Sequence, residues 1–246
     1  MCSIAENIAR VEQRIRVAAQ RAGRNPVEIT LIGVSKTHPA EAICQAYDAG
    51  LRHFGENRVQ EWEGKYRSIM SLPGAVWHLI GHLQSNKAAR AAKLFHCIDS
   101  VDDLQLIEKL QRGRTEGGFE HKTGAANGSV ENEKLRLLLE VRVANEETKS
   151  GTEIAQLPAL AERVMILKGL QLSGLMCIPP FFAEAELARP YFRKLREARD
   201  ALQKQLSWSL PVLSMGMSHD FEVAIAEGAT EVRVGTALFG ARVITK

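Results

Sequence analysis

Apolar positions along this chain switch between two periods. Ile4, Ile8, Val11, Ile15, Ala18 and Ala19 recur at helical spacing across residues 3–22, while Arg10, Arg14, Arg16 and Arg21 fall mostly between them. That pattern predicts an amphipathic N-terminal helix within residues 1–25, with its basic residues on a solvated face. Gly23 stops the helix, Pro26 lies just beyond, and residues 29–34 (ITLIGV) form a nearly unbroken apolar run of strand length. Such a run marks a strand buried on both sides.

From there one unit repeats, a short apolar strand followed by a helical stretch. Strands are predicted at 29–34, 51–55 (LRHFG), 76–81 (VWHLIG), 95–99 (FHCID), 135–143, 170–178, 210–213 and 231–234. Helices are predicted between them at 40–48, 59–70, 86–93, 101–111, 154–167, 184–206 and 221–226. Alternation of this kind requires parallel strands joined by crossover helices, and eight units in this length fit a closed (β/α)8 TIM-type barrel better than an open doubly wound sheet. No GxGxxG fingerprint follows any strand, so a dinucleotide site has no support. Residues 113–134 (GRTEGGFEHKTGAANGSVENEK) break the rhythm; polar and glycine-rich, they are predicted to be a mobile loop insertion without fixed structure.

Composition narrows the chemistry. Among 246 residues, 32 Lys and Arg stand against 29 Asp and Glu, a net charge of +3 with both signs interspersed. Neither nucleic acid nor an anionic membrane is indicated as partner, and small-molecule chemistry is the expectation. No apolar run approaches a membrane span, and the N-terminus is charged from Glu6 onward, which points to a cytoplasmic protein. Cys2, Cys44, Cys97 and Cys177 are widely spaced and read as reduced thiols.

In such barrels function gathers where strands end. Lys36 follows ITLIGVS and, by period-two alternation, shares a face with Ile32 and Val34, so its stem rises from the barrel interior toward the mouth. A lysine over apolar walls loses part of its ammonium solvation and becomes available as a nucleophile for an aldehyde. At the other end of the chain, Ser214-Met215-Gly216-Met217-Ser218 follows the seventh strand and Gly235-Thr236 follows the eighth. Those loops are the usual phosphate position in these barrels; small residues admit backbone N–H groups to an anion, and Ser214, Ser218 and Thr236 add hydroxyls. A Schiff-base lysine with a phosphate loop describes a phosphorylated aldehyde as ligand. Arg233 alternates onto the inward face and needs an acceptor, either a carboxylate such as Glu140 or a ligand atom. Asn57 ends the second strand, where it can bond a ligand or cap a helix. His78 and His82 would be more than about 10 Å apart along a strand, so no metal pair is expected. Ser85 and Asn86, and the Ser-His-Asp run before Phe221, read as helix caps.

Taken together, GVSKTHP, HFGENRVQE, WHLIGHLQSNK, NEETKSG, GLMCIPP, LSMGMS and VRVGTALFGAR resemble, in order and over most of the chain, the pyridoxal phosphate homeostasis protein family. The resemblance implies a single fold-type III barrel like the N-terminal domain of alanine racemase. It implies pyridoxal 5′-phosphate held as an aldimine on Lys36, phosphate contacts from Ser214 or Ser218, Gly235 and Thr236, Arg233 facing the pyridine nitrogen, Asn57 beside the ring and Met215 among the cofactor-binding residues. It further implies a monomer without enzymatic turnover that buffers the cofactor or delivers it to pyridoxal-phosphate-dependent apo-enzymes. His219 departs from the family's more frequent acidic residue, and the 113–134 insertion is a second departure. A slow amino acid racemase and a cofactor-free Schiff-base aldolase are the alternatives. The chain's tyrosines, Tyr47, Tyr66 and Tyr191, all fall in predicted outer helices, so no second base for racemisation is evident.

Overall fold

A computed structural model describes residues 3–66, 68–69, 72–117, 134–144 and 150–240. The helix predicted first is α1, Ile4–Arg21, opened by Ser3 in a capping box: Glu6 donates its N–H to Ser3 Oγ at 3.2 Å and Ser3 donates its own to Glu6 Oε2 at 2.8 Å. Its buried stripe is Ile8, Val11, Ile15, Ala18 and Ala19. Eight parallel strands follow: β1 Thr30–Val34, β2 His53–Glu56, β3 Val76–Leu79, β4 Cys97–Val101, β5 Leu135–Glu140, β6 Leu170–Met176, β7 Val212–Met217 and β8 Glu231–Val234. They pair in chain order and β8 closes on β1, giving a closed eight-stranded barrel. The intervening helices are α2 Ala40–Asp48, α3 Val59–Tyr66, α4 Ala88–Leu94, α5 Leu104–Gly117, α6 Leu157–Met165, α7 Arg189–Leu206 and α8 Phe221–Ala226, with α9 Thr236–Phe239 after β8.

Glycines reveal which strand faces point inward. A Cβ on Gly33 would strike Leu51, Leu238 and Phe239 of the surrounding shell, so Gly33 faces out and its neighbours Ile32 and Val34 face in. On Gly55 a Cβ would meet Ile32 and Ile80, which places Gly55, and by alternation His53 and Asn57, toward the interior. The main apolar core lies between sheet and helices, built from Phe54, Trp62, Trp77, Phe95, Leu137, Phe192 and their neighbours. The barrel interior is more polar.

Three expectations change. The seventh strand runs Val212–Met217 instead of 210–213, so Ser214 and Met215 are strand residues and not loop residues; Ser214 pairs with Met176 of β6 and Glu231 of β8, and the β7–β8 register shifts between Ser214 and Met217. Residues 113–117 continue α5, because Gly113 lets it approach α4 so closely that a Cβ there would lie 2.5 Å from Ala89 Cα. The rest of that expected loop, 118–133, lies outside the described residues, as do Cys2 and residues 145–149 of NEETKSG. Arg14 is not simply solvated: it bonds Glu222 at 2.6 Å and lies 4.5 Å over the Phe221 ring, fixing α1 against α8.

Candidate functional site

At the C-terminal end of β1 the chain leaves the sheet through Ser35, Lys36 and Thr37. Ser35 is fully buried and continues the ladder through its N–H to the Gly55 carbonyl, while Lys36 is half-buried on the parity of Ile32 and Val34. Its neighbour across the β1–β8 seam is the mouth end of β8, where Gly33 pairs with Val234. The ideal Cβ of Gly235 lies 3.3 Å from the Val34 carbonyl oxygen and 3.4 Å from Val34 Cβ, a tight fit of this end of β8 against β1. Thr236 is exposed as the first residue of α9, and Ser218 is half-buried in the turn after β7.

Arg233 is buried in the interior, and its acceptors are not the carboxylate the sequence suggested. Nη1 donates to the Ser214 carbonyl and to Ser214 Oγ, both at 2.7 Å, and Nη2 donates to the Cys177 carbonyl at 2.8 Å. The end of β6 and the middle of β7 are thereby fastened to β8. Glu140, at the end of β5, feels Arg233 as a nearby charge; burial, with Asp102 adding to it, nevertheless pushes its carboxyl up to about 7. Ser214 is thus a wall residue that orients Arg233. Met215 is fully buried in the apolar shell, so its side chain is turned away from the mouth.

The expected caps are built differently. Asp220 stands at the α8 N-cap position without a side-chain cap bond; its Oδ1 accepts the Met217 N–H at 2.6 Å, tightening the turn that carries Ser218. Gly216, at φ +91°, makes that turn feasible: a Cβ would lie 2.6 Å from the Ala224 Cβ. Ser85 belongs to a short 3-10 turn and accepts from Lys109 at 2.9 Å instead of capping. His219 at the rim bonds the Ala183 carbonyl at 3.0 Å, and its ring lies tilted against Phe181, 5.5 Å between centroids. Asn57 lines an open cavity of about 670 Å³ beside the mouth together with Arg58, Glu61, His82 and Lys87.

Two groups of residues escaped the sequence reading. The first lies beside Lys36: Glu56, buried at the end of β2, and Glu61 and Lys65 on α3, joined by Lys65 Nζ at 3.0 Å from Glu56 Oε1 and 2.7 Å from Glu61 Oε1. The second fills the opposite end of the barrel interior. His78 Nε2 meets His53 Nδ1 at 3.0 Å, His78 Nδ1 meets Asp99 Oδ2 at 3.1 Å, and Arg136 Nη1 bonds Glu231 Oε1 at 2.7 Å. Although burial disfavours its charge, Cys97 and Asp99 push His78 up to about 10, whereas burial, then His78 and Arg136, push His53 down to about 4. Arg136 Nη2 also lies 3.2 Å from His78 Nδ1. His78, Asp99 and Glu231 bring ligand-type atoms within 4.8 Å of one another, but Arg136 lies among them and supplies the positive charge. His82 is exposed and points toward Asp102, away from His78. Period-two alternation in VWHL, CIDSV, LRLLLE and EVRV carried the signal for this cluster, since each charged residue falls on the inward parity.

The family model for the alanine racemase N-terminal domain matches residues 7–243. The pyridoxal phosphate homeostasis proteins of Pseudomonas aeruginosa and Aquifex aeolicus are 47% and 46% identical over 242 and 237 residues, covering 98% and 96% of this chain and 97% of each relative. This chain belongs to the pyridoxal phosphate homeostasis protein family. Among solved structures, the PipY protein of Synechococcus elongatus with pyridoxal phosphate bound superposes with a TM-score of 0.81 at 39% identity, over 97% of this chain and all of that one. A D-threonine aldolase from Filomicrobium marinum, at 13% identity, 97% of this chain and 61% of that one, shares the barrel fold with a TM-score of 0.69. Family membership and a closed (β/α)8 barrel of the alanine racemase type agree with the expectation drawn from the motifs. Among the described residues, no helix is long and apolar enough to cross a membrane.

Proposed function

We propose that this chain is a non-catalytic pyridoxal 5′-phosphate-binding protein of cytoplasmic vitamin B6 homeostasis, with Lys36 as the residue that takes the cofactor. The observation that carries the reading is the half-buried Lys36 on the inward parity of β1, directly beside the Gly235–Thr236 end of the adjoining β8. When bound, pyridoxal 5′-phosphate supplies an aldehyde that condenses reversibly with an amine. Lys36 provides that amine, and Ser218, Thr236 and the backbone at Gly235 and Met215 provide donors for the phosphate. The tight fit of a Cβ at residue 235 against Val34 is in keeping with a small residue at that end of β8.

Arg233 presents a permanently charged guanidinium, already aimed by Ser214 and Cys177, toward the pyridine side of the site. A cation there disfavours protonation of the ring nitrogen and makes the ring a poorer electron sink, which suits storage better than turnover. Asn57 flanks the ring. Tyr47, Tyr66 and Tyr191 all belong to outer helices, and the Tyr47 hydroxyl is spent on the Pro73 carbonyl, so none supplies a second acid or base at the mouth. The chain acts as a monomer that hands its cofactor to apo-enzymes.

The test combines two assays on the loaded protein. Incubation with single-enantiomer amino acids, followed by chiral chromatography, is expected to give no exchange above that of free cofactor, while a pyridoxal-phosphate-dependent apo-enzyme regains activity on mixing. Exchange that scales with protein concentration would make the chain a racemase instead.

A further inference from the structure

The two residues that flank Lys36 are both tied to one cluster of side chains. Ser35, on the outward parity, donates from Oγ to Glu56 Oε1 at 2.7 Å, and its carbonyl accepts from Lys65 Nζ at 2.9 Å. Thr37 donates its backbone N–H to Glu61 Oε1. Lys65 Nζ closes the set, 3.0 and 3.2 Å from the two Glu56 oxygens and 2.7 Å from Glu61 Oε1. Thr37 holds φ at +65°, a left-handed conformation that a β-branched residue keeps only where its surroundings hold it.

The sequence arranges this economically. Glu56 ends β2 on the outward parity, opposite the inward Gly55 and Asn57, and Glu61 and Lys65 are one turn apart on α3. Lys65 is largely buried, with an 11% exposed side chain, yet it is compensated by two carboxylates and a carbonyl, so the cluster is a satisfied buried network. Burial pushes the Glu56 carboxyl above its usual range, and Lys65 and Ser35 pull against that.

We propose that Glu61 and Lys65, with Glu56 between them, are positioning residues for Lys36: they fix the peptide on both sides of it and so aim its amine into the barrel mouth. The proposal rests on the reading of Lys36 as the cofactor-binding lysine and adds to it the device that sets its reactivity. A lysine side chain has four rotatable bonds, so freedom in the backbone beneath it multiplies the volume its amine explores and lowers the effective concentration of the nucleophile at the aldehyde.

The experiment uses the full chain and three forms: wild type, Glu61→Ala and Glu61→Gln. Glu61 is partly exposed, so its loss is expected to leave the fold intact, which thermal unfolding checks; Lys65→Met would strand Glu56 in the interior and is the less informative variant. Hydrogen exchange of the Thr37 amide and the rate of borohydride-fixable pyridoxal 5′-phosphate capture at Lys36 are followed side by side. Glu61→Ala is expected to speed the exchange and slow the capture about tenfold at unchanged thermal stability, and Glu61→Gln, which keeps an acceptor for the Thr37 N–H, to recover most of both. Wild-type capture in Glu61→Ala, or equally slow capture in Glu61→Gln, would overturn the proposal. Absence of capture by the wild type would instead overturn the cofactor reading beneath it.

Discussion

Glu140 shows how one buried group registers the electrostatics of the mouth. Its side chain is almost fully buried, its carboxyl is pushed up to about 7, and Arg233, the cation that opposes that shift, is already bonded to the Ser214 and Cys177 carbonyls. A carboxyl whose folded pKa exceeds its unfolded value binds its proton more tightly in the folded state, so its contribution to stability falls as pH rises from about 4.5 to about 7. Over that window the loss amounts to roughly 3 kcal/mol. Glu140→Gln is expected to remove that slope and to be more stable than wild type at pH 8, measured by urea denaturation at several pH values; parallel pH profiles for the two proteins would refute the assignment. At this scale the sequence was legible where one residue ended one strand. Lys36, Asn57 and Arg233 fell on the inward parity by simple alternation. Met215 did not, because the strand it belongs to starts two residues later than its apolar run and extends through Ser214, Gly216 and Met217. The partners of Arg233 are main-chain carbonyls, which no side-chain pattern announces.

Among the elements, α2, α8 and β8 have the limits their patterns predict, and α1 differs by one residue at each end. Their ends are marked by local chemistry: the capping box at Ser3, the proline before Ala40, the Gly228 at φ +104° ahead of β8. The elements that drifted were set by partners instead. β6 and β7 approach so closely that a Cβ on Gly174 would lie 1.9 Å from the Val212 carbonyl oxygen. Gly174→Ala must therefore force neighbouring strands of a closed barrel away from each other, and a loss of about 3 kcal/mol or more is expected in chemical denaturation. A loss below about 1 kcal/mol would mean that the strands yield there at little cost. Likewise α5 runs on through Gly113, a residue that reads as a loop signal in sequence but serves as a contact with Ala89 of α4.

For the molecule as a whole, strand count and alternation were enough to identify a closed barrel, because eight parallel strands each covered by a helix have few other arrangements. What alternation could not give was convergence. His53, His78, Asp99, Arg136 and Glu231 come from β2, β3, β4, β5 and β8, and only closure of the sheet brings them into one charge-balanced layer at the end of the barrel opposite Lys36. The same closure joins β8 to β1 and so places Gly235 and Thr236, some two hundred residues distant in sequence, beside Lys36. The interior is thus divided into a compensated polar base and a mouth that carries Lys36. The central claim is that this mouth captures pyridoxal 5′-phosphate on Lys36. The most direct measurement is borohydride reduction of the cofactor-saturated protein followed by peptide mass mapping, beside Lys36→Ala. The label is expected on Lys36, with the visible band of the bound cofactor lost in the variant. An unlabelled Lys36 in saturated wild type, or a variant that keeps the band, would contradict the account.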